Sequence, residues 1–193
     1  MNYESEITVL VKCDYETLKN ILFKYGFTVK KYYNVDDYYM IDNNIDLNDY
    51  SNLELLTKCV IIRDFNEGKE LLYKYKRFNP KGEIIEQSKI ECPIMDINRS
   101  IRFMESINYT QLFKLKDICI TFANKETELI VQLVNDRFVF IEMETQCRYI
   151  NKTYKNDVEM INDINRYHLP IDTSDYYVKK AEFWLAYIQG SNK

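Results

Sequence analysis

The sequence predicts an α+β fold, a run of antiparallel strands interrupted by one helix and followed by helices. Three observations carry this. Polar and apolar residues alternate with period two over many short segments joined by Asn- and Gly-containing turns, the pattern of half-buried antiparallel strands. Capped stretches with helical spacing are few and do not alternate regularly with strands, which argues against a parallel βαβ array. The chain has 193 residues, 46% hydrophobic and 15% aromatic with 17 Tyr, enough for a real core and rich in strand formers.

Residues 3–12 alternate Glu4, Glu6, Thr8 against Ile7, Val9, Val11, a strand. Asp14 caps a helix with Leu18, Ile21, Leu22 and Tyr25 on one face, and Gly26 stops it. Residues 27–42 form a Tyr-rich strand or hairpin around Asp36–Tyr39, and the Asn- and Asp-rich 43–57 reads as a loop. Strands are expected near 58–65, 70–78 and 84–92, with turns at Asn66–Gly68 and Asn79–Gly82. Asp96 or Asn98 opens a helix carrying Ile97, Ile101, Met104 and Ile107. Strands near 111–122, 128–134 and 138–147 follow. The end is helical over about 155–167 and, capped by Ser174, about 174–188.

Twenty-six basic residues against 30 acidic give a net charge of −4, which excludes a broad nucleic-acid or membrane-binding surface. Four Gly and three Pro exclude collagen-like and Gly/Pro-rich disordered classes. The five Cys, at 13, 59, 92, 119 and 147, form no CxxC pair and sit among apolar residues, so they read as small buried hydrophobes in a reducing compartment. The N-terminal segment has no basic region of a signal peptide, and apolar runs such as Phe138–Ile141 fall far short of the roughly 20 residues that span a bilayer. A cytoplasmic protein is expected.

The polar strand faces carry the chemistry. Side chains two apart share a face, so Glu4 with Glu6, Lys74 with Lys76, Lys89 with Glu91, Lys114 with Lys116, and Glu142 with Glu144 are neighbours. The alternate residues Leu71, Tyr73, Tyr75, Phe113, Leu115, Val139, Ile141 and Met143 are apolar. Like charges on one face repel unless something lies between them. A polyanion with its metal would satisfy both signs, Lys and Arg on phosphate oxygens and Glu on a hard cation. A solvated sheet face is the alternative.

With these motifs in order, the chain resembles the CYTH domain of the triphosphate tunnel metalloenzymes, the group of class IV adenylyl cyclases, thiamine triphosphatases and inorganic triphosphatases. The resemblance rests on Glu4-Ser-Glu6-Ile-Thr8, Gly26-Phe27, Asp36-Asp37-Tyr38-Tyr39, the strand ending in Arg63, Lys74-Tyr75-Lys76, Lys89-Ile90-Glu91, Lys114-Leu115-Lys116, Gln132, Phe140-Ile141-Glu142-Met143-Glu144 and Thr173–Tyr177. It covers nearly the whole chain and implies one domain over 1–193. The implied fold is an eight-stranded antiparallel β tunnel, a closed barrel, with helices packed outside. It implies a triphosphate-containing small molecule held by Arg63, Lys74, Lys76, Lys89, Lys114 and Lys116, with Lys76 and Arg63 catalytic. Glu4, Glu6, Glu142 and Glu144, with Gln132, would bind Mg²⁺ or Mn²⁺. The implied activity is metal-dependent triphosphate hydrolysis. Cyclic AMP synthesis from ATP and binding without turnover are the alternatives, and a homodimer is compatible with all three. Two residues depart from the family pattern: Thr8 stands where the family has Lys, and Gln132 where it usually has Asp. An amide oxygen can ligate a metal but brings no charge.

Other features read as structural. His168 is expected at a loop or helix end, and Trp184 in the core. Tyr32, Tyr33, Tyr38 and Tyr39 read as strand packing, and Lys30-Lys31 and Lys179-Lys180 as solvated faces.

Overall fold

The computed structural model describes residues 6–78 and 84–191, with the backbone alone for 75–78 and 84–87. In chain order the elements are β1 (Glu6–Leu10), α1 (Tyr15–Lys24), β2 (Thr28–Asp42), a 3-10 turn (Leu47–Asp49), α2 (Asn52–Lys58), β3 (Val60–Phe65), β4 (Gly68–Phe78) and β5 (Ile84–Pro93). Then come α3 (Ile97–Ser106), β6 (Tyr109–Ala123), β7 (Glu128–Val134), β8 (Phe138–Glu144), α4 (Asp157–Asn165) and α5 (Lys180–Ser191). The strands join one eight-stranded antiparallel sheet in the order β1-β8-β7-β6-β2-β3-β4-β5. Among the described residues no ladder joins β1 to β5, so hydrogen bonds do not make the closed barrel implied by the resemblance. No helix among them is long and apolar enough to cross a membrane.

Local chemistry sets the element ends. Asp14 accepts from the Thr17 N–H at 2.9 Å and the Thr17 hydroxyl at 2.8 Å, opening α1, and Gly26 takes φ +76° just past its end, a conformation that side chains other than glycine resist. Asp96, not Asn98, caps α3 through the Arg99 N–H at 2.8 Å. The segment read as a loop contains α2, because Ser51 and Glu54 form a reciprocal capping box ahead of the buried Leu55. The 27–42 segment is one continuous strand, not a hairpin. Ser174 caps no helix: its N–H and hydroxyl donate to Asp172, and α5 begins at Lys180. His168 follows α4 with φ +47°.

The chain groups into two compact units. The first comprises Met1–Asn34 and Asp117–Lys179, the second Val35–Lys116 and Lys180–Lys193. In the first, Ile7, Val9, Ile120, Phe122, Leu129, Val131, Ile141 and Met143 form the apolar sheet face, covered by Leu18 and Leu22 of α1 and Met160 and Ile164 of α4. In the second, Met40, Ile62 and Met104 centre a smaller cluster under α3. Trp184, expected in the core, is only half-buried on α5 and lies against Tyr187, ring centres 5.4 Å apart, because Leu185 is the residue that α5 buries. All five Cys are free. Cys59 and Cys119 are buried, Cys13 and Cys147 half-buried, and Cys92 exposed on β5.

A polar network pins α4 within the first unit. Asp163, 8% exposed, accepts from Thr127 at 2.8 Å, Lys152 at 2.7 Å, Arg166 at 2.7 Å and Tyr154. Burial pushes the Asp163 carboxyl up, but the hydrogen bonds from Lys152, Tyr154 and Thr127 outweigh it and hold it below the ordinary 3.8. A carboxylate depressed in the folded state stabilises above its unfolded pKa, and that contribution disappears as pH falls through the folded value. Asp163→Asn is therefore expected to lower the melting temperature at pH 7. It should also flatten the loss of stability below about pH 4, measured as thermal melts across pH.

Candidate functional site

In the first unit the face opposite the core carries the acidic set. Register places Glu6 opposite Glu144 and Thr8 opposite Glu142 on β1 and β8. Alternation on β7 brings Gln132 to the same face. Thr8 and Gln132 are buried, at 6% and 4% exposed. The Gln132 Nε2 donates to Glu142 Oε2 at 3.0 Å, and its Oε1 is buried with no hydrogen-bond partner. The carboxylate only accepts, so it fixes which way the amide points. Arg148 reaches Glu144 at 3.4 Å. Tyr33, which the sequence reading placed in strand packing, lies beside these acids. Burial pushes its hydroxyl up, and Cys119, Glu142 and Glu144 push the same way. No pattern in the sequence pairs Tyr33 with β8, because the two are a hundred residues apart. Glu4 lies outside the described residues, and among those described no three His, Cys, Asp or Glu side chains converge as a metal-binding group. The donors on this face are all oxygen, as Mg²⁺ or Mn²⁺ prefers, and the orphaned Gln132 oxygen fits a cation.

The second unit holds the basic set, and most of it is paired. Register sets Asp37, Arg63 and Glu70 side by side across β2, β3 and β4. Arg63 grips Asp37 with both arms, Nε to Oδ1 at 2.6 Å and Nη2 to Oδ2 at 2.7 Å, and Nη1 lies 3.9 Å from Glu70. Burial pulls the guanidinium pKa down, but the hydrogen bond and charge of Asp37 more than reverse that. Further along the same face Lys74 lies opposite Lys89, and Lys89 pairs with Glu91. The side chain of Lys76 lies outside the described residues.

Lys114 and Lys116 do not share that face, which corrects the expectation that they line a common phosphate site. Lys114 bonds Asp36 at 2.6 Å and lies 4.7 Å over the Tyr38 ring, on the side opposite Asp37 and Arg63. Burial pulls its pKa down, and the Asp36 hydrogen bond outweighs this. The Arg63 side of β6 is taken by Phe113, stacked on Tyr39 with ring centres 4.3 Å apart, and by alternation Leu115. Leu71 and Tyr73, on the apolar side of β4, are half-buried and 36% exposed, whereas Leu72, between the charged residues, is fully buried.

This fold is that of a class of putative adenylate cyclases, so the resemblance stands at the level of the fold. The chain aligns over 96% of its length with 98% of a putative adenylate cyclase from Vibrio parahaemolyticus, at 13% identity and TM-score 0.52. A putative adenylyl cyclase from Hippeastrum, described as revealing a dominant triphosphatase activity, aligns at 14% identity and TM-score 0.56, over 97% of this chain and 96% of that one. A conserved hypothetical protein from Pyrococcus furiosus gives 15% identity and TM-score 0.60, over 92% and 99%. No family model and no curated protein sequence matches the chain.

Removing Asp37 leaves a half-buried guanidinium without its fork. Asp37→Ala is expected to destabilise by about 3 kcal/mol in urea unfolding, and Asp37→Asn by less.

Proposed function

We propose that this chain binds a triphosphate-bearing small molecule and hydrolyses its terminal phosphoanhydride with Mg²⁺ or Mn²⁺. The observation that carries the reading is Gln132, whose buried, unpartnered amide oxygen beside Glu142 is an acceptor in want of a cation. The shared fold supports it, as does the triphosphatase activity described for the Hippeastrum protein. Glu6, Glu142, Glu144 and the Gln132 oxygen, with Glu4, would hold the cation, which supplies charge neutralisation and polarises a phosphoryl oxygen. Lys74 and Lys76 bind phosphate oxygens. Arg63, through its remaining Nη1 edge, offsets the negative charge that develops on the leaving diphosphate. Water attacks the terminal phosphorus, the bond to the bridging oxygen breaks, and the proton leaves to solvent. Lys114 and Lys116 take no part.

The Arg63–Asp37 fork favours a second reading, in which the triphosphate is bound without turnover. Purified protein incubated with Mn²⁺ and ATP, tripolyphosphate or thiamine triphosphate separates the readings. Orthophosphate is the expected product. Pyrophosphate with cyclic AMP would assign a cyclase, and binding without product would assign the second reading. Glu6→Gln with Glu142→Gln should slow orthophosphate release at least about tenfold, and an unchanged rate would remove the metal assignment.

A further inference from the structure

We infer that β5 is a self-pairing edge through which two copies of this chain join as a two-fold dimer. The strand order has two ends. At one, β1 is already covered: the Thr8 N–H donates to Tyr176 at 2.9 Å and Val178 donates to the Thr8 carbonyl at 3.1 Å. At the other, β5 pairs only with β4 in the sheet among the described residues. Ser88 to Pro93 are all exposed, on both faces of the strand. Ile90 is 64% exposed and lies opposite Tyr73, itself 36% exposed. On the same side, Leu71, Met95 and Phe103 line a groove of about 290 Å³, with Met95 98% and Phe103 60% exposed. A free strand edge flanked by apolar side chains is a template for another strand.

The charges select the occupant. Antiparallel pairing of β5 with itself, centred on Ile90, sets Ile90 against Ile90 of the second copy. It also sets Lys89 against Glu91 and Ser88 against Cys92, each twice by symmetry. Slipping the register by two residues puts Lys89 opposite Lys89 or Glu91 opposite Glu91, which repel. Slipping it by one turns the apolar side away from its match. The sequence Lys-Ile-Glu is thus complementary to itself in one antiparallel register. Lys89 and Glu91, which pair with each other within the chain, each exchange that neighbour for one directly across the interface. Pro93, with no N–H to offer, ends the ladder.

The test uses the full chain in light scattering after size exclusion, from about 1 µM to about 100 µM, with circular dichroism to confirm folding. The wild type is expected to be dimeric in the upper part of this range. Lys89→Glu and Glu91→Lys should each raise the dissociation constant at least about tenfold. The double variant Lys89→Glu/Glu91→Lys, which restores opposite charges in the same register, should bring the dimer back. A monomeric wild type at the highest concentration overturns the proposal. So does a dimer that both single variants leave intact, or a double variant that stays monomeric while folded.

Discussion

Strict two-residue alternation within a registered antiparallel ladder governs this molecule. Once Asp37 is set opposite Arg63, the faces of β2, β3 and β4 are decided along their whole length. Tyr39, Ile61 and Leu72 then share the Arg63 side, and Asp36, Tyr38 and Ile62 the other. A fifteen-residue strand such as β6 transmits the same decision, so Phe113 meets Tyr39 and Lys114 meets Asp36. No side chain can be moved to the opposite face without a bulge or a register shift that displaces its neighbours.

That constraint decides which charges meet across strands. Lys114 answers Asp36, Arg63 answers Asp37, and Lys69 answers Asp64 at 3.4 Å. At these three places the sheet neutralises charge sideways, strand against strand, while Glu6 opposite Glu144 and Lys74 opposite Lys89 keep like signs across the ladder. The fork at Arg63 is the tightest instance, because a half-buried guanidinium and a buried carboxylate bind each other with little competition from water. A phosphate approaching Arg63 meets the Nη1 edge, since Asp37 holds Nε and Nη2. The net charge of −4 is consistent with this, since the acids that balance these cations stand on the neighbouring strands.

The strands were legible because each alternates over a stretch longer than its turns, and Asp14 and Asp96 announced their helices by capping. The helix at 52–58 was hidden by its composition. Asn and Asp around it read as loop, although Ser51 and Glu54 stand at capping-box spacing. The Ser174 cap failed because Asp172 sits two residues earlier and takes the Ser174 donors for a turn. At the site, the sequence could say which charges share a strand face but not which neighbouring strand answers them. Lys114 was therefore read as a phosphate ligand when Asp36, nearly eighty residues away, was its partner. Gln132 entered only through the resemblance, while Tyr33 had no signal of any kind.

Gln132 is where chain and chemistry meet most directly. A carboxylate at this position would lie about as close to Glu142 as the amide nitrogen does, in a setting with little water. Two like charges at such a distance, of which one is buried, repel strongly unless a cation stands between them. The amide removes that repulsion and supplies a donor instead, so β7 and β8 can pair in the absence of any ion. The same exchange removes one negative charge from whatever cation the face accepts. On the proposed reading, the remaining attraction would fall to Glu142, Glu144 and Glu6, helped by one neutral oxygen. Thr8, opposite Glu142 on β1, acts in the same direction, since a hydroxyl brings neither charge nor repulsion to the pair. Thr8 and Gln132 are therefore coupled in their electrostatics: neither brings a charge to Glu142, which is left to hydrogen-bond where a charged neighbour would have to be counterbalanced.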